Sequence, residues 1–124
     1  MSNFIWIASL SLGTYLLGSF PTAYIWVLFS KGYDITKSGS GNVGASNVVS
    51  FVGRKSAVLL GLFDFLCKGL IPAFFIVLFN VENWLSSIAA LLLVAGHNWS
   101  IFLGFKGGRG VATSMGVIIG MSLW

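Results

Sequence analysis

The chain has 124 residues, of which 56% are hydrophobic and 8% charged, with a net charge of +4 and a mean hydropathy of +0.93. Soluble domains carry about 25% charged residues, so this composition excludes an ordinary water-soluble globule and indicates an integral membrane protein. Most of the seven cations stand in short loops beside apolar runs, which explains them by membrane orientation and anionic ligands without nucleic acid, and the single Cys67 excludes an intramolecular disulfide.

Four apolar segments follow in chain order. Phe4–Phe29 precedes the first charge, Lys31, and exceeds the roughly 20 residues a span needs. It lacks a basic leader and a small-residue cleavage site, so it reads as a retained transmembrane helix, with Pro21 as a kink. The second segment, about Ser56–Phe79, carries Asp64, Lys68 and Pro72. The third, about Trp84–Leu103, is interrupted at Gly96-His97-Asn98. The fourth, Val111–Trp124, has fourteen residues and is short for a span, so it is either re-entrant or a helix cut short. Trp84, Trp99 and Trp124 suit interfacial anchors. The fold expected is an all-α polytopic membrane protein of one domain, residues 1–124.

Lys31, Lys37, Arg54 and Lys55 follow the first segment, and Lys106 and Arg109 follow the third. The connection Asn80-Val81-Glu82-Asn83 has no cation. The positive-inside rule then places both basic loops in the cytoplasm and the N-terminus outside. Two glycine-rich loops therefore share one face and can form one site.

In the first loop, Ser38–Asn47, Gly39, Gly41 and Gly44 permit tight backbone turns whose N–H groups can form an anion nest. Ser40, Asn42 and Asn47 add polar side chains. The same residues also suit a solvated turn. In the second loop, Lys106 and Arg109 flank Gly107-Gly108, with Gly110 and Thr113 beyond, just before an apolar helix. Cations beside a positive helix terminus suit a phosphate or oxyanion, and equally a loop that only fixes topology. The spacing is not that of a Walker A loop. His97 is the only histidine; it suits a general base, and also a structural residue bonded to a loop carbonyl. Asp64 and Lys68, at i and i+4, share a helix face and lower each other's cost in the membrane as an ion pair.

Taken together, Gly18-Ser19-Phe20-Pro21, the Ser38–Asn47 block, Asp64 with Lys68-Gly69, and Gly96-His97-Asn98-Trp99 leading to Phe105–Thr113 resemble the bacterial acyl-phosphate:glycerol-3-phosphate acyltransferases. The resemblance implies transfer of an acyl group from acyl phosphate to the 1-hydroxyl of glycerol 3-phosphate in the cell (inner) membrane. The product is lysophosphatidic acid, and no metal or organic cofactor is needed. It implies Ser40, Asn42 and His97 at the catalytic centre. Gly39, Gly41, Gly44, Asn47, Lys106, Gly107, Gly108, Arg109, Gly110 and Thr113 would be at the substrate phosphates, with Asp64, Lys68 and Asn98 in supporting roles.

Three positions depart from the family pattern: Ser50 stands where an Arg is usual, Arg109 where Lys is usual, and Ser100 where Pro is usual. Arg54 or Lys55 is the expected substitute for the missing Arg. The match covers about the N-terminal three-fifths of such enzymes, and a C-terminal block with His and Asn has no counterpart here. A non-catalytic relative that binds phosphate-bearing lipid precursors is the second expectation, and a small anion transporter the third.

Overall fold

The computed structural model describes residues 3–123, the side chains of Ala45 and Ser46 apart; Trp124 lies outside them. The described residues are helical, with a single isolated bridge between Ser100 and Lys106 as the only β pairing. The helices are α1 (Asn3–Ser19), α2 (Thr22–Lys31), α3 (Ala45–Phe63), α4 (Ile71–Leu78), α5 (Asn83–Asn98) and α6 (Val111–Ser122). Single 3₁₀ turns at Ile35–Lys37 and Ile101–Leu103 lie in the two glycine-rich loops.

The first apolar segment is one span broken at Phe20-Pro21, as the proline predicts. The second differs from its predicted bounds. Helix α3 begins at Ala45, so Ser46–Lys55 is helical, with a break at Gly53, whose φ of 82° is open only to a residue without a Cβ at low cost. Between α3 and α4 the residues Asp64–Leu70 form a widened, π-helical stretch. Pro72 supplies the cause: it has no N–H for the carbonyl four residues back, and the Ile71 N–H reaches five residues back, to Leu66 O. The third segment also differs. Gly96-His97-Asn98 is the last turn of α5, and Trp99 caps the helix.

Helix α1 lies along α5, α2 on α3, and α6 on the widened stretch and α4. Two buried clusters result. Ala23, Val27, Ile35, Val48 and Ala57 join α2, the first loop and α3. Ala73, Ile76, Ala89, Leu93 and Val117 join α4, α5 and α6. Lipid gives no hydrophobic drive between helices, so small residues that allow backbone contact carry such packing. A Cβ on Gly96 would strike the Tyr15 carbonyl of α1, and one on Gly116 the Phe65 carbonyl. Outward, Phe4, Phe29, Leu91 and Ile118 are exposed, as expected of side chains that meet lipid. Trp84 and Trp99 are half-exposed at opposite ends of α5, about 22 Å apart at 1.5 Å per residue, a spacing that suits two interfacial anchors. Trp84 donates through Nε1 to Glu82 at its own end.

Candidate active site

The first loop is built by residues that hold its own backbone. Asp34 caps the Ile35–Lys37 turn: the Thr36 N–H donates to Asp34 Oδ1 at 3.0 Å, and the Thr36 hydroxyl donates to the same oxygen. Ile35 is fully buried beneath it. Asn47, 5% exposed, reaches back from α3, and its Nδ2 donates to Asn42 O at 2.8 Å and Ser38 O at 3.1 Å. Its Oδ1 accepts from the Ser40 N–H at 3.4 Å. The Gly44 N–H donates to Asn42 Oδ1 at 2.8 Å, and Gly41 N–H to Ser38 O at 3.0 Å. The N–H groups of an anion nest at Ser40, Gly41 and Gly44 are thus engaged inside the loop, because two asparagine side chains organise it. Outward the loop presents the exposed Ser40. Asp34 carries no role in the sequence reading, although Asp-x-Thr before a turn is a capping signal.

The Thr36 hydroxyl bond above all, opposed by desolvation and helped by the Thr36 backbone N–H and the charge of Lys37, holds the Asp34 carboxyl below its ordinary value. A lowered carboxylate stabilises the folded loop above its unfolded value and loses that contribution as pH falls through the folded value. Asp34→Ala is therefore expected to raise amide exchange at Thr36 and Ser38 several-fold at neutral pH, with the difference from the parent chain vanishing in acid. Unchanged exchange at neutral pH would remove the capping role.

The second loop folds back on the end of α5. Phe105 N–H donates to Ser100 O at 2.7 Å, and Gly108 N–H to His97 O at 3.2 Å. Ser100 Oγ donates to Ser19 O and Tyr15 Oη to Trp99 O, which tie this end of α5 to α1. The backbone lies so close that a Cβ on Gly108 would sit 2.5 Å from His97 Nε2, and one on Gly110, at φ 75°, would strike Asn98 Oδ1. These glycines are required by the chain's own packing, besides any ligand. Gly110 caps α6, whose leading N–H groups have no partner within the helix.

Beneath both loops lies a charged cluster. Lys68, 3% exposed, has its Nζ 3.2 Å from Asp64 Oδ1 and 3.1 Å from His97 Nδ1. Asp64 Oδ2 is 3.9 Å from the same nitrogen. The i, i+4 pair of the sequence is formed, and the widened turn carries it to the end of α5. A cavity of about 380 Å³ opens beside it. Gly44, Asp64, His97, Arg109 and Gly110 are among its lining residues. Ala23, Val48, Ala57, Leu60 and Met115 line the apolar remainder. Thr113 Oγ1 and Asn98 Oδ1 are buried nearby in sequence without a hydrogen-bond partner.

The two glycine-rich loops thus converge on one cavity, and five of the site residues named from the sequence, Gly44, Asp64, His97, Arg109 and Gly110, meet there. Ser40, Asn42 and Lys106 are not on its lining. Ser50 is exposed on α3, and Arg54 and Lys55, the expected substitutes for the missing Arg, are exposed just after the Gly53 break and line no part of it.

The family profile described as glycerol-3-phosphate acyltransferase matches residues 8–124. The chain belongs to that family. A glycerol-3-phosphate acyltransferase of Aquifex aeolicus is 45% identical over 109 residues, covering 87% of this chain and 56% of the relative. Glycerol-3-phosphate acyltransferase 4 of Dehalococcoides mccartyi is 44% identical over 108 residues, covering 87% and 46%. The crystal structure of PlsY (YgiH), an integral membrane glycerol 3-phosphate acyltransferase, superposes in its glycerol 3-phosphate form with a TM-score of 0.82 at 41% identity, over 94% of this chain and 58% of that one. Its lysophosphatidic acid form gives 0.76 at 38% identity. The chain spans about half to three-fifths of the length of these relatives. The all-α membrane fold expected from composition is the fold found.

Proposed function

We propose that this chain carries the substrate cavity of an acyl phosphate:glycerol-3-phosphate acyltransferase. One observation supports the reading above others: two glycine-rich loops meet at a cavity whose lining joins Arg109, Asp64 and His97 to a largely apolar wall. Both substrates carry phosphate and one carries a fatty chain, so a lining with both polar and apolar residues suits them. The attacking 1-hydroxyl forms its bond to the acyl carbon while the bond from that carbon to the phosphate oxygen breaks. The hydroxyl proton leaves with the released phosphate.

In this reading Arg109 and the first turn of α6 hold a phosphate, with Thr113 and Lys106 behind and beside them. His97 and Asn98 stand at the reacting carbonyl, and Ser40 and Asn42 close the site from the first loop. Asn47 and Gly39, Gly41 and Gly44 shape that loop. The one membrane domain, residues 1–124, has both loops on the cytoplasmic side of a bacterial inner membrane and its N-terminus outside, by its distribution of cations.

The test is acyl transfer by the purified chain in lipid, with palmitoyl phosphate and labelled glycerol 3-phosphate, and His97→Ala as the control. Lysophosphatidic acid formed by the parent and lost in the variant supports the reading. A folded chain that binds glycerol 3-phosphate without turnover favours a non-catalytic relative, a reading that Ser50 in place of the family's Arg also supports. Gly61 faces the cavity with no atom within 4 Å of a Cβ placed on it. Gly61→Phe is expected to lower kcat/KM for palmitoyl phosphate about 10-fold or more while sparing octanoyl phosphate. Equal losses on both would place the acyl chain elsewhere.

A further inference from the structure

The His97 ring is gripped from one edge. Its Nδ1 faces the Lys68 ammonium at 3.1 Å, and the nearest Asp64 oxygen is 3.9 Å away. An ammonium has three donors and no acceptor. Towards Nδ1 it can only donate, so Nδ1 presents its lone pair. The opposite arrangement, an Nδ1–H donating to Asp64, would span a distance beyond a hydrogen bond and would set one donor against another at 3.1 Å. Asp64 Oδ1, 3.2 Å from the same Lys68 Nζ, pairs with that ammonium. A neutral imidazole that accepts at Nδ1 carries its proton on Nε2. That edge lies against Gly108, and the ring lines the cavity with Arg109 and Gly110.

We infer that the Asp64–Lys68 pair fixes His97 as its neutral Nε2–H tautomer, so that His97 meets the substrate as a hydrogen-bond donor and not as a general base. The donor role rests on the acyl-transfer reading above; the tautomer itself does not. Lys68 and Asp64 are positioning residues, acting through His97. A fixed N–H on a ring that lines the cavity can stabilise the charge that gathers on the carbonyl oxygen during acyl transfer, and needs no reorganisation to do so.

Because the chain has one histidine, ring-¹⁵N histidine labelling reports this site alone. Solid-state NMR of the full chain in lipid bilayers at neutral pH is expected to show Nδ1 unprotonated and accepting, and Nε2 carrying the proton. A proton on Nδ1, or on both nitrogens, overturns the inference. Lys68→Arg keeps a donor and should keep the tautomer, whereas Lys68→Met should release it to a mixture. Should Lys68→Met fold poorly because Asp64 is left unpaired, the double variant Asp64→Leu with Lys68→Met removes both charges and asks the same question. Persistence of the pure Nε2–H form without Lys68 would overturn the inference.

In turnover, Lys68→Met is expected to lower kcat on the order of 10²-fold with little change in KM for glycerol 3-phosphate, and Lys68→Arg to restore much of it. A rise in KM at unchanged kcat would overturn the donor role. The spectra need no turnover, so a chain without activity leaves the tautomer measurable, and an Nδ1–H result leaves acyl transfer untouched.

Discussion

Replacing Gly116 by leucine is expected to push α6 off the widened stretch and destabilise the fold by about 3 kcal/mol, the upper part of the range for overpacking. The reason lies in what touches what. A Cβ at Gly116 would strike the Phe65 carbonyl and approach the Leu70 nitrogen to 2.7 Å and the Gly69 Cα to 3.0 Å. A Cβ at Gly69 would in turn approach the Thr113 carbonyl to 2.6 Å. These are backbone atoms, which cannot rotate away as a side-chain tip would, so the whole helix must move. The damage would extend to the cavity, because α6 carries Ala112 and Met115 on its wall and Arg109 stands just before it. Unfolding by denaturing detergent in bicelles measures it. Gly13→Ala on α1 is the control: a Cβ there meets nothing within 4 Å, and removing a glycine from a helix interior should stabilise by roughly 0.5–1 kcal/mol. Equal stability of the Gly116 variant and the parent would mean that the contact between these two backbones is not made.

The long apolar runs and the proline break were legible because length and hydropathy alone dictate them. Residues 45–55 were not. Ser46, Asn47, Ser50, Gly53, Arg54 and Lys55 read as loop chemistry, yet they are helical, held by Val48 and Ala57 packing on α2 and by Asn47 bonding to the loop before it. The widening at Asp64–Leu70 had a signal in Pro72, whose effect falls a turn earlier than the residue itself. The Asp64–Lys68 pair was legible from its i, i+4 spacing. The contact from Lys68 to His97 was not, since 29 residues separate them and nothing local couples them. Asn47 illustrates the limit of composition: an asparagine in a glycine-rich loop can face a ligand or its own backbone, and only the fold shows that its amide is engaged by three carbonyls, of Ile35, Ser38 and Asn42.

The two cations of the second loop, equivalent in sequence, are expected to separate in function. Both are exposed, but Arg109 lines the cavity with Gly110 and His97, whereas Lys106 lines no part of it. A charge-assisted hydrogen bond to phosphate contributes about 1.5–3 kcal/mol, so Arg109→Ala should weaken glycerol 3-phosphate binding about 10- to 100-fold. A solvent-screened ammonium off the cavity lining contributes little; Lys106→Ala should cost a factor of about 5 or less. Arg109→Lys retains the charge but not the planar fork and should fall between them. Calorimetric titration with glycerol 3-phosphate decides it. Equal losses at both positions, or the larger loss at Lys106, would move the phosphate from the cavity to the outer face between the loops. The carbonyl of the acyl phosphate would then lie beyond the reach of His97, and the catalytic centre would have to be sought around Ser40 instead.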